Sequence, residues 1–189
     1  MTYMFYNCEN LRSIDLSNFD TSKVTDMSFM FKGCRSLTSL FLSNFKTDSL
    51  TKIAGMFSGC RSVKELQLAN FDTSKVADMS YLFQNVQSAT LINVQSFDTR
   101  NVIDMHYMFG GCSSLISLDL SSFVTDKVSD MGHMFDQCSK LTSLDLSNFS
   151  TGQVYDMGYM FSRCNNLENI YLSEKFDTSR VTDMSYMNR

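Results

Sequence analysis

Proline and tryptophan are absent from this 189-residue chain, and glycine occurs only 8 times. A flexible linker or low-complexity class rich in Pro and Gly is therefore excluded, and neither a linker nor a second domain is discernible. Basic residues number 16 against 20 acidic ones, for a net charge of −4, and they are scattered. No Lys/Arg block of the kind a nucleic-acid footprint needs is present, so nucleic acid is not an expected partner. No apolar run approaches the roughly 18 residues of a membrane span, so direct membrane insertion of this segment is not expected. The opening Met1-Thr2-Tyr3-Met4-Phe5 carries neither the basic region nor the apolar core of a signal peptide. Catalytic signatures are missing too: there is no nucleophile elbow, no phosphate-cradling Gly-rich loop and no H-E-x-x-H. Acid pairs such as Asp119 and Asp145 are expected on an open face with nothing to exclude water. The reading is a non-enzyme with no cofactor and no metal.

What the chain does have is a period. The pairs Met4-Phe5, Met30-Phe31, Met56-Phe57, Leu82-Phe83, Met108-Phe109, Met134-Phe135 and Met160-Phe161 each begin 26 residues after the last, and Met187-Asn188 arrives one residue late. A fixed period of this size means a stack of like units rather than a globule around one core. Residues 1–189 are thus expected to form one continuous solenoid of seven 26-residue units. Both ends fall in the same phase: Met1–Phe5 and Met184–Asn188 each match Met27–Phe31. Natural solenoids end in distinct capping units, and neither end reads as one, so a fragment of a longer array is expected.

Within a unit, Leu141-x-x-Leu144-x-Leu146 ends in strand alternation, as do Leu115, Leu118, Leu120 and Leu37, Leu40, Leu42. This L-x-x-L-x-L element is the strand signature of leucine-rich repeats. The other half has a different period. Met131, Met134, Phe135 and Cys138 sit at i, i+3, i+4 and i+7, which predicts the apolar stripe of a short helix. Asp26, Asp78, Asp104, Asp130, Asp156 and Asp183 stand just before it, with Lys52 the exception, and read as N-caps. The expected fold class is therefore α/β: a leucine-rich-repeat solenoid with parallel strands on one face and short helices on the other.

The run Cys138-Ser-Lys-Leu141-Thr-Ser-Leu144-Asp-Leu146-Ser-Asn-Phe149, followed by a Val-x-Asp-Met-x-x-Met-Phe element, resembles the BspA-like leucine-rich-repeat surface proteins. The resemblance covers essentially the whole chain, with the Leu, Phe, Met and Cys columns in register. It implies display at a cell surface, or secretion, and adhesion or partner binding, a host matrix or surface protein being the kind of partner implied. Members often carry secretion signals and anchors, and none is visible in this sequence.

The columns divide by role. Cys8, Cys34, Cys60, Cys112, Cys138 and Cys164 form one, interrupted by Val86. No C-x-x-C occurs, His106 and His133 fit no zinc spacing, and nearest-neighbour disulfides would leave one thiol over on each side of Val86. Buried, reduced cysteine acting as a small hydrophobe is the reading. Thr21, Thr47, Thr73, Thr99, Thr125, Thr151 and Thr178 form an unbroken column. Ice binding would need a second Thr row, and none exists; hydroxyls satisfying turn backbone groups are expected instead. The Asp column could in principle hold cations, but it lacks a D-x-D-x-D-G loop. The near-column Tyr3, Phe29, Tyr81, Tyr107, Tyr159 and Tyr186, with Gly55 and His133 intervening, is either core-flanking filler or an exposed ridge.

The residue in the middle of each L-x-L should point away from the core. That column is Asp15, Phe41, Gln67, Asn93, Asp119, Asp145 and Tyr171, and Leu91 sits two residues before Asn93. These eight residues form the candidate partner-binding face, with Phe41, Leu91 and Tyr171 as its apolar contacts. A solvated face of Ser and short acids is the competing reading. A glycan site would need a groove of stacked aromatics, for which one Phe and one Tyr are thin support. From a different class comes a structural spacer or array that self-associates through its open ends. Unit four is irregular: Val86, Ala89, Ile92 and Val94 replace the usual Cys and leucines. Ala in place of Leu removes core volume worth up to a few kcal/mol. Amides of residues 83–97 are accordingly expected to exchange hydrogen faster than their counterparts in units five and six; equal rates would contradict this.

Overall fold

A computed structural model describes residues 1–187, so Asn188 of the late Met187-Asn188 pair lies outside the described residues. The chain winds as a repeat solenoid, successive turns of the spiral paired at an offset of 26 residues, and of 27 where Asp156 meets Asp183. Residues equivalent to the Met-Phe pairs define units one (5–30), two (31–56), three (57–82), four (83–108), five (109–134), six (135–160) and seven (161–187).

The expected helices do not form: among the described residues no segment is helical. The Met-Phe half of each unit folds instead as two tight turns in succession. Met30 N–H bonds Met27 O at 3.2 Å and Cys34 N–H bonds Phe31 O at 3.0 Å. The third residue of each turn is left-handed, at φ 56° for Phe29 and φ 77° for Gly33, as a type II turn requires. A left-handed residue every fourth position cannot propagate an α-helix. The amides that a helix would turn back on itself go forward to the next unit: Phe29 N–H bonds Ala54 O at 2.9 Å, Phe31 N–H bonds Met56 O at 2.9 Å and Gly33 N–H bonds Ser58 O at 2.8 Å. Two turns in tandem point residues i, i+3, i+4 and i+7 inward just as one helical stripe would, which is why the spacing misleads.

The Asp column is corrected with them. No helix exists for it to cap. Each carboxylate accepts the N–H two residues on, as in Asp26 with Ser28 at 2.8 Å and Asp130 with Gly132 at 2.9 Å, and the backbone pairs in parallel with the same column of the next unit, as in Asp104↔Asp130. These are Asx-turns opening the double turn.

The opposite side of the coil carries short parallel strands in four units: β1 (Glu65–Gln67) with β2 (Leu91–Asn93), and β3 (Ser143–Leu146) with β4 (Asn169–Leu172). Between the two walls lies a core of repeated columns. Phe5, Phe31, Phe57, Phe83, Phe109, Phe135 and Phe161 stack ring on ring at 5.4–6.1 Å. Val86, Ala89, Ile92 and Val94 of unit four are all buried, at no more than 2% exposure.

Two polar ladders stitch the units together. From Thr21 to Thr151 the Thr hydroxyls are buried and each serves the next unit twice, while Thr178 is exposed: Thr99 Oγ1 donates to Val124 O at 2.8 Å and accepts from Val124 N–H at 2.7 Å. Thr125 does the same with Ser150, both at 2.8 Å. Burial also removes these six threonines from any ice-facing surface. A second ladder is formed by Asn44, Asn70 and Asn148, whose amides reach back to Leu16 O, Leu42 O and Leu120 O at 2.9, 3.0 and 3.0 Å. Ser96 and Ser122 occupy the same column; Ser96 Oγ still reaches Leu68 O at 3.1 Å, but Ser122 Oγ is buried without a partner among the described residues.

Thr99→Val should strand a buried N–H and a buried carbonyl and cost about 2–3 kcal/mol. Ser122→Asn should restore the reach to Val94 O and gain about 1 kcal/mol. Urea unfolding midpoints of the two variants, moving in opposite directions, check both.

Candidate interaction face

The strand face is built from the outward residues of the L-x-L elements. Phe41 is 76% exposed, Tyr171 56% and Leu91 41%. Asp15, Gln67, Asp119 and Asp145 are also exposed, while Asn93 is half-buried. Strand register brings Gln67 beside Asn93 and Asp145 beside Tyr171. Asp119 joins the first pair indirectly, through Gln95 Nε2, which donates to its Oδ2 at 2.7 Å. Asp15 lies at the far end with Ser17.

The acids of this face are engaged. Asp15, Asp119 and Asp145 each accept the N–H of the serine two residues on, at 2.9 Å, and Asn93 accepts that of Gln95 at 3.2 Å. The Ser17 amide and then its hydroxyl hold Asp15 below the ordinary carboxylate range; for Asp145 the Ser147 hydroxyl leads and its amide follows. Asp119 is lowered by the Ser121 hydroxyl and amide, then by Gln95. These side chains turn the backbone just after each L-x-L element. Sequence reasoning placed them on the outer face but missed this turn role, although the recurring Asp-x-Ser signals it.

Phe41, Gln67, Leu91 and Tyr171 are free of such duties. Phe41 stands beside a hollow of about 380 Å³ between unit two and β1, lined by Thr38, Ser39, Leu40, Lys64, Glu65 and Gln67 among others. Residues 39–43 form no strand with β1, and Leu40 at the floor is 8% exposed, against 1% for its counterpart Leu66. A second hollow of about 300 Å³ lies between units five and six, with half-buried Leu118 as floor and Asp119 and Asp145 at the rim. The face thus has an apolar station near Phe41 and an acidic one near Asp119.

The opposite edge carries the aromatic column. Tyr81, Tyr107, His133, Tyr159 and Tyr186 stack at 4.1–5.5 Å, each on a left-handed backbone position. Such φ values cost bulky residues on the order of 1–2 kcal/mol each, offset here by stacking. The rings are half-buried between Tyr81 and Tyr159, so both sequence readings of this column hold in part. Gly55 (φ +59°) interrupts the stack, and the Phe29 ring fills the space where its Cβ would be.

The cysteines are free thiols. Each Sγ from Cys34 on donates to a Phe carbonyl of the unit before, as Cys112 does to Phe83 O at 3.1 Å. Burial raises Cys34 to about 11 and Cys112 to about 12. Among the described residues no three His, Cys, Asp or Glu side chains converge so as to hold a metal ion, and no helix is long and apolar enough to cross a membrane.

Comparison with known proteins adds a family. The family model described as "Mycoplasma protein of unknown function, DUF285" matches residues 1–91 and again 85–189. Together the two matches span the chain, which belongs to this repeat family. No curated protein sequence matches it. Among solved structures, the chain is similar to an internalin from Listeria monocytogenes, with 19% identity over 80% of this chain and 47% of that one, TM-score 0.40. It is also similar to a leucine-rich cell surface protein from Faecalibacterium prausnitzii, with 16% identity over 89% and 56%, TM-score 0.40. A leucine-rich-repeat protein from Bacteroides ovatus gives 20% identity over 76% and 48%, TM-score 0.30. The chain spans about half the length of each of these structures.

Because a raised thiol pKa and burial both suppress alkylation, iodoacetamide at pH 8 should label exposed Cys8 in the folded protein and leave Cys60, Cys112 and Cys138 unmodified. All six should react once the chain is denatured. Mass spectrometry of the two digests checks both counts, and a denatured count well below six would show oxidised or metal-held sulfur.

Proposed function

We propose that this chain is a non-enzymatic protein-binding module of a leucine-rich-repeat surface protein, BspA-like and adhesin-type, that recognises its partner through the strand face. The observation that carries the reading is Phe41, a large apolar side chain largely in water beside a hollow that opens onto the core leucine row. An aromatic so placed is the usual anchor of a protein interface. Leu91 and Tyr171 extend the apolar contact along the face. Asp119 and Asp145, ionised over the second hollow, favour a partner that sets a basic side chain against them. Binding then rests on shape and side-chain matching with no covalent chemistry, and the place of action is the cell surface or the medium outside it. A host matrix or surface protein is the partner class that fits.

Binding to immobilised host matrix proteins, compared for wild type, Phe41→Ser and Tyr171→Ser, tests this. Loss of about 2 kcal/mol, roughly thirtyfold in affinity, is expected for Phe41→Ser, with a smaller loss for Tyr171→Ser. Wild-type affinity in both variants would sink the strand-face reading.

A further inference from the structure

The chain has only two histidines, His106 and His133. They meet edge to face, ring centroids 5.7 Å apart. Each also faces a carboxylate: His106 Nδ1 lies 3.2 Å from Asp130 Oδ1, and His133 Nδ1 lies 3.2 Å from Asp136 Oδ2. His133 takes a place in the aromatic column otherwise held mainly by Tyr. It lies between Tyr107 at 4.1 Å and Tyr159 at 4.5 Å, closer than the 5.5 Å of Tyr81 and Tyr107. His106 packs edge-on against Tyr81 at 5.4 Å and Tyr107 at 4.8 Å. Asp136 is 6% exposed, and its Oδ1 has no hydrogen-bond partner among the described residues.

We propose that His106 and Asp130 form a proton-operated clasp that binds units four and five together more tightly when the His106 imidazole is protonated.

The charges around the pair set the sign. Asp104, Asp130 and Asp156 occupy one column on successive units, spaced by the roughly 5 Å of a parallel pairing. With neutral imidazoles this is a row of partly buried like charges that repel. Asp136 and Asp183 face the other side, Asp183 being held below its ordinary value by the Ser185 amide, then the Ser185 hydroxyl, and last by the His133 ring. Tyr155 donates to Asp130 Oδ2 at 3.3 Å but brings no positive charge. Asp130, Asp104 and Asp156 all act on His106, so its protonation lowers the net charge of the site. It also turns the His106–Asp130 contact into a charge-assisted hydrogen bond between two units.

The titration trends agree. The hydrogen bond to Asp130 raises His106 above its ordinary value, and burial opposes this. Asp130 is disfavoured by burial but held below its ordinary value by His106 and the Gly132 amide, while Asp104 is raised, first by burial. A histidine that binds its proton more tightly folded than unfolded stabilises the fold fully below about 6.5, its unfolded value, and loses that contribution as pH rises through the folded value.

The test is hydrogen exchange of amides 104–132 in the whole chain at pH 5.5 and pH 8, corrected for intrinsic rates, in wild type and His106→Gln. A charge-assisted hydrogen bond is stronger than a neutral one by about fivefold in equilibrium terms, so wild type is expected to gain roughly fivefold in protection at pH 5.5 relative to units two and three. The variant should lose that gain. An NMR titration of wild-type imidazoles, which needs no variant to fold, should put His106 above 6.5. A pH gain in units four and five no larger than in unit two, a gain unchanged in His106→Gln, or a His106 midpoint at or below 6.5 would each overturn the proposal.

Discussion

Each unit of this solenoid can satisfy only half of its own turn backbone. In the double turn, Met30 and Cys34 find acceptors three residues back, but Phe29, Phe31 and Gly33 must donate to the unit ahead. A buried amide without a partner costs on the order of 1–3 kcal/mol, so an isolated unit is untenable and the stack is obligatory. This one constraint fixes the period. An insertion within the turn displaces a whole row of donors from its acceptors. Where length does vary, between Asp156 and Asp183, the extra residue falls outside the double turn, and the pairing of Met157 with Asp183 O at 2.9 Å survives.

The same constraint explains the polar residues inside the molecule. A hydroxyl that donates and accepts is the smallest group that can tie a carbonyl and an amide of the next unit at once, and Thr supplies it while its methyl packs inside. The Asn ladder does comparable work from the strand side with longer reach. The left-handed aromatic positions are the cost of forming two turns in so few residues. Glycine would relieve the strain, as it does at Gly55, but would leave the neighbouring ring without its stack. Strain is accepted where stacking is available.

Much of this was legible in the sequence. The period, the inward leucines and phenylalanines, the buried cysteines and the turn role of Thr follow from columns read in register. The turn segment was not, because Met131, Met134, Phe135 and Cys138 have the spacing of a helix and of two tandem turns alike. Hydrophobic spacing reports which residues face inward, not how the backbone takes them there. The recurring Asn7, Gly33, Gly59, Asn85 and Gly111, residues that tolerate positive φ and do not suit a helix interior, were the contrary sign. The candidate face was read in part. Phe41, Leu91 and Tyr171 lie where alternation puts them, but the hydrogen bonds of Asp15, Asn93, Asp119 and Asp145 could not be seen from alternation alone. The meeting of His106 with His133 joins two columns, and no single column reveals it.

Those hydrogen bonds change where recognition can be written. Variation along the strand face looked like eight positions released from the scaffold. Four of them still turn the backbone by accepting the N–H two residues on, so Asp or Asn there answers to the fold before it answers to a partner. Asp145 can serve both, because an Asx-turn uses one carboxylate oxygen and leaves the second outward, whereas the second oxygen of Asp119 already accepts from Gln95. Phe41 answers to nothing in the fold. Exposing its ring costs on the order of 2 kcal/mol relative to burial, and it sits where the strand pairing has opened. A repeat that holds its columns so strictly elsewhere offers a partner few places to be recognised, and the departure at Phe41 is the largest of them.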